Sequence, residues 1–81
     1  MEKKKCYALM SETHSGSDIS IYWDKHTAFM AMIGDLETEI ANLQRMGNTK
    51  FESAENDHKA LLYVPGTDIY YEWYIVETTI E

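Results

Sequence analysis

Histidine, the side chain used most often as a general base or a metal ligand, occurs three times in this 81-residue sequence. His14 lies in a segment rich in Ser and Gly, His26 at the start of a predicted helix and His58 in a predicted turn. No two histidines show the His-x-x-x-His spacing, and the single cysteine, Cys6, excludes a Cys-x-x-Cys motif. We therefore predict no metal site and no cofactor.

Motifs for nucleophilic and acid-base catalysis are also lacking in the sequence. Ser15 and Ser17 flank a glycine in a loop-like segment, without the neighbouring base that activates a catalytic serine. The three carboxylates of residues 52–57 match neither a calcium-binding loop nor a spaced acid/base pair. The four glycines are isolated from one another, which argues against a phosphate-binding loop. We predict that the chain is not an enzyme.

The charge of the chain narrows the class of partner. There are 14 Asp and Glu residues against 7 Lys and Arg residues, a net charge of -7. Three of the basic residues are Lys3, Lys4 and Lys5, so the rest of the chain is more acidic still. Affinity for nucleic acid depends on Lys and Arg at phosphates, so this balance argues against direct nucleic-acid binding and favours a protein partner with a basic surface. Excess acid also keeps a small protein in solution, which is the alternative explanation.

Length and composition predict one domain spanning residues 1–81. The chain is 44% hydrophobic and 26% charged, which is typical of a globular protein with one modest core. A single cysteine cannot form an internal disulfide and fits a reducing compartment. No apolar stretch approaches membrane-spanning length, so we expect a cytoplasmic protein that does not bind membranes.

The chain begins with a predicted hairpin. Residues 4–12 read as a first strand, and a loop longer than the tightest hairpin turns leads into a second strand, DISIYW. This second strand alternates cleanly between two faces. We assign one face, Ile19, Ile21 and Trp23, to the core, and place Tyr22 on the opposite, open face.

Residues 25–46 are predicted to form the helix. Asp24 is placed to cap its N-terminus, and Gly47-Asn48 to end it. The apolar residues recur at steps of three and four and form one stripe. Its members are Phe29, Met32, Ile33, Leu36, Ile40 and Leu43.

Three further strands follow the helix, in TKFES, in ALLYV and in the long run from residue 68 to residue 79. Pro65-Gly66 predicts a type II turn, which makes the last two strands a hairpin. The order β-β-α-β-β-β predicts an α+β fold with the helix on one face of a mostly antiparallel sheet. A β-grasp-like sheet with parallel first and last strands and a meander joined at its edge by the N-terminal hairpin both suit this order. Both faces of the last strand are apolar, so we expect it near the centre.

Aromatic residues occupy both faces of the last strand. Ile69, Tyr71, Trp73 and Ile75 share the more apolar face, which we assign to the core beneath the helix. Tyr70, Glu72 and Tyr74 share the other face, where we expect Tyr22 to join them. Tyrosine is enriched at interfaces, so these four residues are candidates for a contact surface. Rings on an exposed sheet face also stabilise one another across strands without any partner.

The helix carries a second candidate contact surface. Asp35, Glu37 and Glu39 lie beside the apolar stripe, and Asp35 and Glu39 are like charges at i,i+4, a mildly unfavourable pair. Local helix stability does not favour this arrangement. The three residues are either a solvated helix face or an acidic docking surface.

In size, acidity and lack of catalytic motifs, the chain resembles the small proteins of phages and mobile elements that inhibit host defence, including anti-CRISPR proteins. These families share no common fold or motif, so the resemblance transfers no functional residue. It implies a mode of action, in which a compact acidic protein occupies a basic or protein-binding site on a larger target.

These observations lead to three hypotheses. We expect a non-enzymatic protein-binding module that uses the acidic helix residues or the tyrosine-bearing sheet face. The first alternative is a homodimer that buries its tyrosine faces against each other. The second is a small-ligand binder or enzyme using His14, Asp18 or His58.

Overall fold

The computed structural model describes residues 4–47 and 50–80, which form an antiparallel sheet with a helix packed against one face. The elements are β1 (Lys4–Thr13), β2 (Gly16–Tyr22), α1 (Lys25–Arg45), β3 (Glu52–Glu55), β4 (Lys59–Tyr63) and β5 (Tyr70–Ile80). The predicted α+β class and the order β-β-α-β-β-β are confirmed. Asn48 of the predicted helix end and Thr49 of the predicted third strand lie outside the described residues.

The sheet has five strands in the order β2-β1-β5-β4-β3. β5 lies at its centre, between β1 and β4, as the apolar character of both its faces predicts. β1 runs antiparallel to β5, with Cα partners from Lys4 and Ile80 to Thr13 and Tyr71. The meander is therefore correct, and the β-grasp-like alternative is wrong because it requires these two strands to be parallel.

The ends of α1 follow the predicted capping chemistry. Asp24 has extended backbone angles, and its Oδ1 accepts a hydrogen bond of 2.7 Å from the backbone N–H of Thr27. At the other end Gly47 has a φ of 86°, a left-handed conformation that glycine adopts without steric cost. The N-cap and the glycine thus define where the helix begins and ends, at Lys25 and Arg45.

The core lies between α1 and the sheet. Its fully buried centre includes Met32 and Leu43 of the helix and Leu62 of β4. Trp73 and Ile75 of β5 and Leu9 of β1 complete the sheet side, and Tyr71 packs against them. The predicted inward face of β5 is thus confirmed.

The orientation predicted for β2 is wrong. Tyr22 packs against the core, whereas Ile19 is 57% exposed and Ile21 is 53% exposed. The cause is the length of the turn: Thr13 pairs directly with Gly16, so only two residues join the strands. This register places Ser20 opposite buried Leu9. Residues directly opposite share a face, so the even-numbered residues of β2 face the helix.

The turn between β4 and β5 has the predicted geometry. Gly66 has a φ of 82°, and the backbone N–H of Thr67 donates a 3.2 Å hydrogen bond to the carbonyl oxygen of Val64. The backbone N–H of Val64 also donates a 3.1 Å hydrogen bond to the carbonyl oxygen of Ile69. This six-residue connection pairs Tyr63 with Tyr70 and sets the register of the two strands. Leu62 consequently faces the helix, and its neighbour Leu61 faces away from it.

Leu61 and Leu62 provide a matched test of this register. We expect Leu62→Ala to lower the free energy of unfolding by roughly 2–5 kcal/mol, because it leaves a cavity in a fully buried site. Leu61→Ala removes the same atoms from a half-buried site and should cost about 1 kcal/mol. Equilibrium unfolding in urea, followed by circular dichroism, measures both values. Equal costs would contradict the assigned faces.

Candidate functional site

The sheet face opposite α1 is left uncovered by the described helix. We call it the open face. Across its five strands lie Ser17, Ile19 and Ile21 of β2, Lys4, Cys6, Ala8, Met10 and Glu12 of β1, Tyr70, Glu72, Tyr74, Val76 and Thr78 of β5, Lys59, Leu61 and Tyr63 of β4, and Glu52 and Ala54 of β3. Of these, Cys6 alone is fully buried, at 1% exposed. Since residues directly opposite share a face, the strand register alone assigns these positions.

One half of the open face is apolar. Ile19 lies opposite Met10, and Ile21 lies opposite Ala8, which in turn lies opposite Val76. Val76 is 43% exposed, so the apolar surface continues from the edge strand to the centre of the sheet. Trp23, just beyond β2, is 64% exposed. Apolar side chains in a contiguous exposed patch are typical of a contact surface, whereas scattered ones are not.

The other half carries the predicted tyrosines and a further one. Tyr70 is 46% exposed and lies opposite Tyr63, which is 39% exposed. Tyr74 is half-buried near the centre of the face. Tyr70 and Tyr74 therefore lie on the face expected for them, and Tyr22, now on the helix side, does not. Sequence reasoning missed Tyr63 and Leu61, although the alternation in KALLY could have placed them with Lys59.

Between the two halves lies an acidic row. Glu12 of β1 is directly opposite Glu72 of β5, an arrangement of like charges that destabilises a sheet. Lys59 Nζ lies 3.4 Å from a carboxylate oxygen of Glu72. Glu12 takes part in no ion pair among residues 4–47 and 50–79; its only side-chain partner there is the Tyr74 hydroxyl, at 3.5 Å. Partial burial raises the pKa of Tyr74, and the nearby carboxylates of Glu12 and Glu72 raise it further.

The three acidic residues predicted on the helix do not act as one group. Glu37 is exposed on the outer side of α1, while Asp35 and Glu39 border a cleft between the helix and the sheet. The fold therefore divides the predicted acidic surface. Only the carboxylates of Asp35 and Glu39 lie beside the other side chains that line this cleft.

This cleft has a volume of about 310 Å³ and opens beside the β1–β2 turn. Asp35, Thr38 and Glu39 line its helix side, and Ser11, Thr13, Ser15, Tyr71 and Trp73 line its sheet side. The rings of Tyr71 and Trp73 are nearly parallel, at 7°, with centroids 5.8 Å apart. His14 meets the Tyr71 ring edge-on at 5.3 Å. Carboxylates, hydroxyls and aromatic rings thus converge on one cavity that the sequence does not reveal.

Negative charge accumulates in the cleft, and the ion pairs of residues 4–47 and 50–79 do not neutralise it. Partial removal from water raises the pKa of Asp35, and the charges of Glu39 and Asp18 raise it further. Burial likewise raises the pKa of the Tyr71 hydroxyl, and the Glu39 carboxylate, as acceptor and as charge, adds to this shift. The carboxylates of Asp18, Asp35 and Glu39 take part in none of the ion pairs of the described residues.

The three histidines do not converge. His58 Nδ1 lies 2.8 Å from the Asp57 carboxylate, which also pairs with Lys25 at 3.4 Å. The hydrogen bond from His58 lowers the pKa of Asp57, with further contributions from Lys25. His14 and His26 lie elsewhere, each exposed. Within the part of the chain that the structure describes, no group of His, Cys, Asp and Glu side chains is arranged to hold a metal ion.

The raised pKa of Asp35 leads to a prediction about stability. Because folding raises this pKa above 3.8, the folded chain holds the proton more strongly than the unfolded chain does. The charged carboxylate therefore costs stability at neutral pH, and the cost disappears as the pH falls through the folded pKa. Asp35 is exposed and water screens its charge, so Asp35→Asn should raise the free energy of unfolding by no more than about 0.5 kcal/mol at pH 7 and leave it unchanged at pH 3.

Thermal melts at the two pH values, with Glu37→Gln as the control, measure this difference. Glu37 lies on the same helix but outside the cleft, so its variant should show no comparable gain at pH 7. A loss of stability in Asp35→Asn at pH 7 that is absent at pH 3 would mean that a partner group stabilises the charged carboxylate, and it would contradict the charge pattern described above.

Neither a search for membrane-spanning helices nor comparison with known proteins assigns a role to these surfaces. Across the described ranges, no helix combines the length and apolar character needed to cross a membrane. Comparison of the chain with protein-family models, with curated proteins and with solved structures finds no match. The geometry and the charges of the open face and the cleft are therefore the basis for the proposed function.

Proposed function

We propose that this chain is a non-enzymatic binding module that engages another protein through the open face of its sheet. The observation that carries the proposal is the uncovered apolar patch around Ile19, Ile21 and Val76. Tyr74 adjoins this patch, since it lies opposite Met10. The acidic row separates the patch from Tyr63 and Tyr70. A sheet of this kind ordinarily keeps one face polar, because only the other face is buried. Here both faces carry apolar and aromatic side chains.

The open face is large enough for a stable contact. Four strand spacings of about 4.8 Å make the sheet about 20 Å wide, and the 11 residues of β5 extend over about 36 Å. The other four strands are shorter, with 4 to 10 residues, so the face covers on the order of 600 Å², which is at the lower end of the roughly 600–1,000 Å² that each partner contributes to a specific protein-protein interface. A contact of this size needs neither the cleft nor the helix surface.

Charge favours a basic partner over a second copy of the chain. The acidic row of Glu12 and Glu72 lies on the two strands nearest the middle of the open face, beside Tyr74. Face-to-face packing of two copies would bring these carboxylates toward their own duplicates, and burying like charges without partners is costly. A partner that presents Arg or Lys between apolar groups neutralises the row and covers the patch together.

An inhibitory role extends this proposal. Where the basic surface of the partner is itself a binding site, occupying it blocks its normal ligand, which is the mode of action implied by the resemblance to phage-encoded defence inhibitors. A cytoplasmic location belongs to the same proposal and is supported by the single cysteine, which leaves no internal disulfide to be formed.

Affinity capture with matched charge reversals tests the proposal. The wild type, Glu12→Lys and Glu37→Lys are immobilised and exposed to extract from cells that produce the protein, and binding to each captured protein is then measured with purified components. Both variants change the charge equally, but only Glu12 lies on the open face. We expect Glu12→Lys to weaken binding tenfold or more, equivalent to about 1.4 kcal/mol, and Glu37→Lys to leave it nearly unchanged. Binding should also weaken as salt is raised.

Two results would overturn the proposal in this form. Equal weakening by both variants would assign the effect to net charge instead of to the open face. Sedimentation as a dimer of the 9.4 kDa chain, dissociated by Ile21→Ser, would show that a second copy covers the face. The second result would select the homodimer.

A further inference from the structure

The cleft between α1 and the β1–β2 turn lies on the helix side of the sheet, so the proposed interface does not use it. Its volume of about 310 Å³ is at the lower end of the range for small-molecule pockets, which run from about 300 to 1,000 Å³. The cavity is therefore suited to a ligand of a few heavy atoms or to the end of one side chain.

The hydrogen-bonding groups of the cleft are predominantly acceptors. The hydroxyl of Thr38 donates to the carbonyl oxygen of Gly34 at 2.8 Å, and that of Thr13 donates to the carbonyl oxygen of Gly16 at 3.1 Å. The hydroxyl of Ser11 is directed to the carbonyl oxygen of Asp18 at 3.5 Å. Their protons are thus committed within the protein. Thr13 Oγ1 already accepts a hydrogen bond of 3.1 Å from the backbone N–H of Ser15, whereas the hydroxyls of Thr38 and Ser11 keep their lone pairs for a ligand. A ligand that matches this lining must supply the donors.

The carboxylates set the sign of the ligand charge. Asp35 and Glu39 line the cavity, and ionised carboxylates accept hydrogen bonds but cannot donate them. A metal ion does not fit the same role, because the described carboxylates are not grouped closely enough to coordinate one. The matching ligand is an organic cation that reaches several acceptors at once.

The aromatic side of the cleft favours a planar cation. Tyr71 and Trp73 are stacked there, but Trp73 is only 3% exposed, so the half-buried Tyr71 ring is the surface against which a guanidinium group can pack while its edge donates hydrogen bonds. A compact ammonium offers three donors from one point, whereas a guanidinium offers five in one plane. The acceptors of the cleft lie on both the helix side and the sheet side, and this spread suits the five donors of a guanidinium better than the three donors of an ammonium.

We infer that this cleft binds a guanidinium group, with Asp35 and Glu39 accepting its hydrogen bonds and Tyr71 forming the surface on which it packs. The group is either that of a small free molecule or that of an arginine side chain in another protein. The inference is independent of the proposed function, since the cleft and the open face lie on opposite sides of the sheet.

Tryptophan fluorescence offers a direct measurement. In the background of Trp23→Phe, Trp73 is the one remaining tryptophan and reports on the cleft. Titration with agmatine tests a free guanidinium, and titration with the tripeptide Gly-Arg-Gly, blocked at both ends, tests an arginine within a chain. We expect saturable binding of at least one probe with a dissociation constant on the order of 1 mM or lower. The probe with the higher affinity identifies the source.

Matched variants and an uncharged analogue make the test specific. N-butylurea, which resembles the guanidinium in shape but carries no charge, should not bind at the same concentrations. Asp35→Asn and Glu39→Gln should each weaken probe binding about tenfold or more, because each removes a charge-assisted hydrogen bond. Glu37→Gln should leave the affinity unchanged. Thermal melts confirm that each variant is folded.

Failure of both guanidinium probes to bind would overturn the inference. So would binding of N-butylurea with equal affinity, or equal weakening by Glu37→Gln, since either result would remove the cleft carboxylates from the explanation. Glu12→Lys, which alters only the open face, should not change probe binding. A failure of the cleft experiment is therefore distinguishable from a failure of the proposed protein interface.

Discussion

A single helix lies over one face of a sheet that is about twice its width, and the rest of the structure depends on that mismatch. An α-helix with its side chains is about 10 Å across, whereas five strands extend over about 20 Å. The stripe of α1 buries Leu62, Trp73 and Ile75, but it cannot reach the far face at all. It also leaves a gap beside the β1–β2 turn. The open face and the cleft are consequences of the same limited coverage.

The two uncovered regions share an electrostatic character. On the open face Glu12 lies opposite Glu72, and in the cleft Asp35 lies near Glu39 and Asp18. Among the ion pairs of the described residues, Glu77 pairs with Lys5 at 3.5 Å, Asp57 with Lys25 at 3.4 Å and Glu72 itself with Lys59 at 3.4 Å. Glu12, Asp35 and Glu39 take part in none of these pairs. Like charges brought together weaken a fold, and their concentration at the two uncovered surfaces is the charge pattern on which both proposals of cation binding depend.

Local signals in the sequence were reliable wherever the nearest neighbours in the chain decide the conformation. Asp24 caps the helix because its carboxylate reaches an amide three residues away. Gly66 completes the turn because it tolerates a positive φ. Tyr71 and Trp73 face the core because alternation along a central strand is strict. Each of these outcomes needs only a few consecutive residues.

The sequence by itself determined the elements, their order and the alternation of each strand, since propensity, capping and turn chemistry act over short distances. Only the tertiary structure decided which face of β2 is buried, because a turn one residue longer would have inverted Tyr22, Ile19 and Ile21. It likewise decided that Asp35 and Glu39 meet Tyr71, which is distant in sequence. A cavity arises from the packing of a helix on a sheet, and no pattern within either segment encodes its lining.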